Sequence, residues 1–88
     1  MEDHAKDMLH VIAEHFEEEI EDACEYARLS EEYEHHDRNV AIALWQLGRE
    51  EATHANYLHS VLEKHHHPIS EQLNEHFHKM MRKFHFEK

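Results

Sequence analysis

Leu9, Ile12, Ala13, Phe16, Ile20, Ala23, Ala27 and Ser30 recur at three- and four-residue steps, with charged residues between them. Such spacing is one apolar stripe on a helix, and it predicts a first helix over about residues 3–36. The pattern breaks at His35, His36, Asp37, Arg38 and Asn39, where Asp37 or Asn39 can cap the next helix. A second helix is expected over about residues 39–64, with Val40, Leu44, Leu47, Leu58, Val61 and Leu62 on one side. After His65, His66 and His67, either Pro68 or Ser70 opens a third helix, about residues 69–86. Ile69, Leu73, Phe77, Met80, Met81 and Phe84 form its stripe, so the triplet of histidines reads as punctuation and not as an appended tag. No alternating run of β-branched residues bounded by turn residues marks a strand. The expectation is an all-α single domain over residues 1–88: a long antiparallel helical hairpin plus a third C-terminal helix.

The second helix has another apolar face. Ala41, Trp45, Gly48 and Ala52 fall at steps of four, three and four; the small residues would let a neighbouring helix approach closely, with Trp45 as the large anchor. Either the third helix or a second subunit can cover them.

Composition narrows the classes. One Gly, one Pro and 33% charged residues fit helices with short connections. No run approaches the ~18 apolar residues of a membrane span, and Met-Glu-Asp-His lacks the start of a signal peptide, so the chain is expected to be cytoplasmic with no membrane partner. Cys24 stands alone, which leaves no internal disulfide and favours a small buried hydrophobe over a redox thiol. A formal charge of −11 argues against a nucleic-acid partner. Protonating all 13 histidines moves that sum to +2, so the net charge responds strongly to mild acid.

Sixteen Glu and 13 His make Glu-x-x-His a weak string, since roughly two matches arise by chance at this composition. Four occur, beginning at Glu32, Glu51, Glu63 and Glu75. Residues three apart on a helix are neighbours and can converge on one ion. At 100° per residue, only Glu51 and His54 fall inside an apolar stripe, the one carried by Val40, Leu44, Leu47, Leu58 and Val61. On helix one, Glu14, Glu18, Glu21, Glu25 and Glu32 read as a solvated face. Glu19 lies at the edge of the apolar stripe, and Tyr26 follows seven residues later on the same flank, placed to back a ligand. Glu21 and Glu34 are the other helix-one carboxylates in contention. His4, His10, His15, His76, His78 and His85 share no face and are expected in solvent, and His65, His66 and His67 offer at most loose chelation.

One Glu and one Glu-x-x-His are half of the ligand set of a carboxylate-bridged di-metal site in a four-helix bundle. The count predicts a two-fold homodimer, or a higher homo-oligomer, in which each copy contributes half. Residues 19–27, Glu-Ile-Glu-Asp-Ala-Cys-Glu-Tyr-Ala, with 47–59, Leu-Gly-Arg-Glu-Glu-Ala-Thr-His-Ala-Asn-Tyr-Leu-His, resemble the ferritin-like superfamily. The similarity is to rubrerythrin-type domains and to half-ferritins, including encapsulated ferritins, and covers about half the chain. It implies a ferritin-like four-helix bundle built by dimerisation and a non-haem di-iron centre that reacts with oxygen. It also implies Glu19, Glu51 and His54 as ligands, Glu19 and Glu51 as the catalytic carboxylates, and Tyr26 behind them. Iron is the expected metal, with manganese or zinc as competitors for the same donors. A second ligand set and a Cys-rich module, both found in rubrerythrins, are missing from this sequence, as is an apolar shell-targeting tail after helix three. The functional expectation is Fe(II) oxidation. An acidic, His-rich metal buffer without catalysis and a plain helical interaction module are the alternatives.

Overall fold

A computed structural model describes the backbone of residues 2–87 and the side chains of residues 6–87, so His4 lies outside the described side chains. Three helices follow in order: α1 (Glu2–Tyr33), α2 (Arg38–Lys64) and α3 (Glu71–Lys83). Helix α1 spans about 48 Å at 1.5 Å per residue, which sets the 53 Å long axis of the molecule. Its apolar stripe supplies Phe16, Ile20, Ala23 and Ala27 to the core, all at most 1% exposed. Burying each large side chain contributes about 1.5–3 kcal/mol.

Asp37 settles the capping question. Its side chain accepts from the Asn39 and Val40 N–H groups at 3.1 and 3.2 Å, satisfying donors that the first turn of α2 cannot. The expected extension of helix one to residue 36 is corrected to Tyr33, because a tight turn over His36 and Asp37 (both N–H groups on the Tyr33 carbonyl) reverses the chain. Across the resulting hairpin, buried Ser30 Oγ donates to the Ala41 carbonyl at 2.7 Å.

The α2 side of the seam is built from Ala41, Gly48, Ala52, Ala55 and Leu62. It is centred roughly 100° around the helix from the Val40–Leu47–His54 line. Small residues allow the two backbones to approach. Val40 and Leu47, placed by the sequence pattern on the core side, are 39% and 43% exposed. The Ala41–Trp45–Gly48–Ala52 stripe is covered from within the chain. Phe84 packs on Trp45 with ring centroids 4.6 Å apart, and a Cβ on Gly48 would lie 2.7 Å from Phe84 Cζ.

Ser70, not Pro68, caps α3: its hydroxyl accepts from the Leu73 N–H at 3.1 Å. Helix α3 therefore begins at Glu71 and ends at Lys83, shorter at both ends than expected. Phe77, Met80, Met81 and Phe84 are buried against the hairpin, and the Arg49 guanidinium lies 4.7 Å over the Phe86 ring. The methionine–phenylalanine cluster is packing. Both α2 and α3 end on a histidine in the left-handed region, His66 at φ 54° and His85 at φ 65°. In each, the following N–H folds back to a carbonyl of the last turn: His67 to Leu62 at 2.9 Å, Phe86 to Met81 at 2.8 Å.

Among the described residues no helix is long and apolar enough to cross a membrane.

Candidate metal centre

Because Phe16 and Ile20 are fully buried, Glu19 is carried to the edge of the α1–α2 seam, where its side chain is 22% exposed. Glu51 precedes fully buried Ala52 and leaves α2 toward the same edge, 23% exposed. His54 follows one turn later and is 61% exposed. One ligand atom from each of the three lies within 4.8 Å of the others, the sole such grouping of three His, Cys, Asp or Glu among the described residues.

His54 Nδ1 stands 3.5 Å from Glu19 Oε2 and 3.5 Å from Glu51 Oε1, ion-pair contacts too long for good hydrogen bonds. Glu19 Oε2 is buried and accepts no hydrogen bond. Leaving a buried acceptor unsatisfied costs about 1–3 kcal/mol, and more when it is charged. The strain appears in the neighbouring group. The Glu51 carboxyl is pushed up to about 7, first by the close approach of the Glu19 carboxylate, then by loss of solvent, then by repulsion from the Glu19 charge. His54 pulls it partway back. Two things relieve such a pair: a shared proton, or a cation between the carboxylates. Two carboxylates and one imidazole form a donor set that suits iron, manganese or zinc in the divalent state.

Glu19, Glu51 and His54 thus come together from two helices. Tyr26 is half-buried on the same flank of α1, and no hydrogen bond joins it to the three. Its Cβ instead faces Gly48. The other helix-one carboxylates take no part: Glu21 is exposed, and Glu34, expected to face inward, is exposed beyond the end of α1. Glu32 pairs with Arg28, Glu63 sits 3.4 Å from His59, and His78 pairs with Glu87. The single inward-facing pair does not sit in the core of this chain. It lies at the rim of the seam, since the α2 burial direction is rotated toward Gly48 and Ala52.

Beside Glu19 and His54 a groove of about 560 Å³ opens on the side away from α3, walled by Ile12, His15, Tyr57 and Leu58. His15 is in solvent as expected, 58% exposed, and its spacing of four from Glu19 puts both on one flank of α1. Tyr57 on the groove wall is exposed, as is Leu47 one turn before Glu51, and the two form an apolar margin beside the cluster; Met8, Val11 and Val40 are exposed elsewhere on the two helices. Cys24 is half-buried, and burial raises its thiol despite the nearby Lys83 charge.

Among the described residues, the fold and site together define an all-helical protein with one three-residue carboxylate–imidazole cluster on a helical hairpin. Compared with protein-family models, curated proteins and solved structures, the chain finds no match.

Proposed function

We propose that this protein is a non-haem di-iron carboxylate protein whose centre forms where two copies meet, and that it oxidises Fe(II) with oxygen. The observation that carries this reading is the buried, unpartnered Glu19 Oε2 inside a three-ligand cluster. An acceptor in that position is relieved by a cation. The apolar margin around the cluster supports the dimeric part of the reading. Exposed Leu47 and Tyr57 stand one helical turn from Glu51 and His54, beside a site with only three protein ligands, fewer than first-row ions take. A second copy related by a two-fold axis would cover that margin and double the ligand set to four carboxylates and two imidazoles. The likeness of residues 19–27 and 47–59 to half-ferritins points the same way.

Iron held there would supply the redox chemistry: two ferrous ions would together give two electrons to one dioxygen, which with two protons from water would leave as hydrogen peroxide. The chain's own groups do the rest. Glu19 and Glu51 bring two negative charges per copy, enough to neutralise one divalent ion and to favour its oxidised state. With its carboxyl raised to about 7, Glu51 would release a proton to solvent on meeting a cation. His54 adds a neutral nitrogen donor and, being exposed, can reorient to meet the ion.

Anaerobic titration with Fe(II) tests this, with a tight step near one ion per chain as the expected result and a near-ultraviolet absorbance rise when oxygen is admitted. A Glu51→Ala, His54→Ala variant that bound iron with the same stoichiometry and affinity would end the proposal. A second reading is a non-catalytic metal buffer, favoured by the exposure of His35, His36, His65 and His66. It expects many weak, exchangeable sites and no such step.

A further inference from the structure

We infer that His15 is a fourth protein ligand to the ion held by Glu19, Glu51 and His54, so that each metal takes two imidazoles from its own chain. The inference rests on the metal-binding reading above and adds a residue to it. His15 and Glu19 stand four apart on α1, the spacing at which neighbouring helical side chains reach one point in space. Glu51 and His54, three apart, do likewise from α2, so each helix offers one carboxylate and one imidazole. His15, Glu19 and His54 wall the same open groove, which leaves room for an imidazole to swing between staggered rotamers. As it stands, the ring lies outside the three-residue cluster.

Little holds His15 where it is. Its ring is 58% exposed, and its nearest partner is Glu18, 3.7 Å from Nδ1 in solvent. Moving it therefore sacrifices almost nothing. Charge selects it over its neighbours. Glu19 and Glu51 already balance one divalent ion, so a further carboxylate such as Glu18 would leave excess negative charge, whereas a neutral imidazole fills a coordination position without adding any. An imidazole also carries its own selectivity, favouring zinc, iron or cobalt over magnesium and calcium.

Cobalt(II) is the probe, added to the full-length chain with and without His15→Ala, alongside Glu51→Ala. Paramagnetically shifted imidazole N–H resonances count the histidines on the metal. The expected result is two imidazoles per Co(II) in the native protein, one in His15→Ala, and an affinity lower by roughly tenfold to a hundredfold in that variant. One imidazole per ion in the native protein, with His15→Ala binding equally well, would overturn the inference and leave the three-residue site intact. Failure of the underlying reading looks different: no stoichiometric Co(II) step in the native protein, or a step that Glu51→Ala leaves unchanged. A His15→Gln variant checks folding, since its far-ultraviolet dichroism is expected to match the native chain while the second imidazole resonance is lost.

Discussion

The carboxylates of Glu19 and Glu51 face each other across the α1–α2 seam, each with an oxygen 3.5 Å from the same nitrogen of His54. The neighbouring Glu19 carboxylate, together with loss of solvent, raises the Glu51 carboxyl to about 7. The sign of the consequence follows. The folded chain binds the Glu51 proton more tightly than the unfolded chain, so its stabilising effect is complete below about pH 4.5 and fades as pH rises through about 7. Metal-free protein should therefore lose part of its stability across that window, and Glu51→Gln should flatten that part of the loss in thermal melts at stepped pH. Metal competes with the same proton. Zn(II) affinity should rise by up to about tenfold per pH unit below pH 7 and level off above it.

Gly48 has no room for a side chain. An added Cβ would sit 2.7 Å from Phe84 Cζ and 3.0 Å from Tyr26 Cβ, and the Phe84 ring is itself buried. Overpacking of this kind costs about 1–3 kcal/mol, against at most about 1 kcal/mol gained from helix propensity. Gly48→Ala should lower stability in urea denaturation, and adding Phe84→Leu should recover part of it. Additive losses in the double variant would refute the contact as the cause.

His66 and His85 adopt left-handed backbone angles that a non-glycine residue holds at a cost of about 1 kcal/mol. His66→Gly and His85→Gly should each raise the melting temperature by roughly 4 °C in a chain of this size. Since His66 is exposed, a fall in melting temperature would mean that its side chain makes a contact the backbone argument ignores.

Leu47 lies in the apolar margin beside the cluster, 43% exposed. If a second copy covers that margin, Leu47→Lys should convert dimer to monomer in sedimentation velocity while leaving the helical dichroism intact. The same variant should weaken metal binding, because each chain would then offer only its own ligands. A native protein that sediments as a monomer, both metal-free and metal-loaded, would contradict the dimeric site.

Much of the architecture was legible in the order of residues. Three helices follow from the three- and four-step recurrence of apolar positions, and Asp37 follows from what the first turn of a helix leaves unbonded. Glu51 and His54 could be paired as well, because neighbours on a helix are a matter of spacing alone, whereas Glu19 stood at the edge of the first stripe with Glu21 and Glu34 as rivals. Which way each helix turns its stripe was not legible. The apolar arc of α2 is broad, running from Val61 through Leu47 to Trp45, and periodicity alone gives no preference between its halves. Packing chose the half with Gly48, Ala52 and Ala55, where two backbones approach most closely and Phe84 can enter. That rotation moved Glu51 and His54 from a presumed core to the rim, left an acceptor of Glu19 buried without a partner, and brought His15 to the same groove. Local spacing is a property of one helix. Burial, orphaned acceptors and grooves are properties of two surfaces in contact, so only the tertiary structure could decide them.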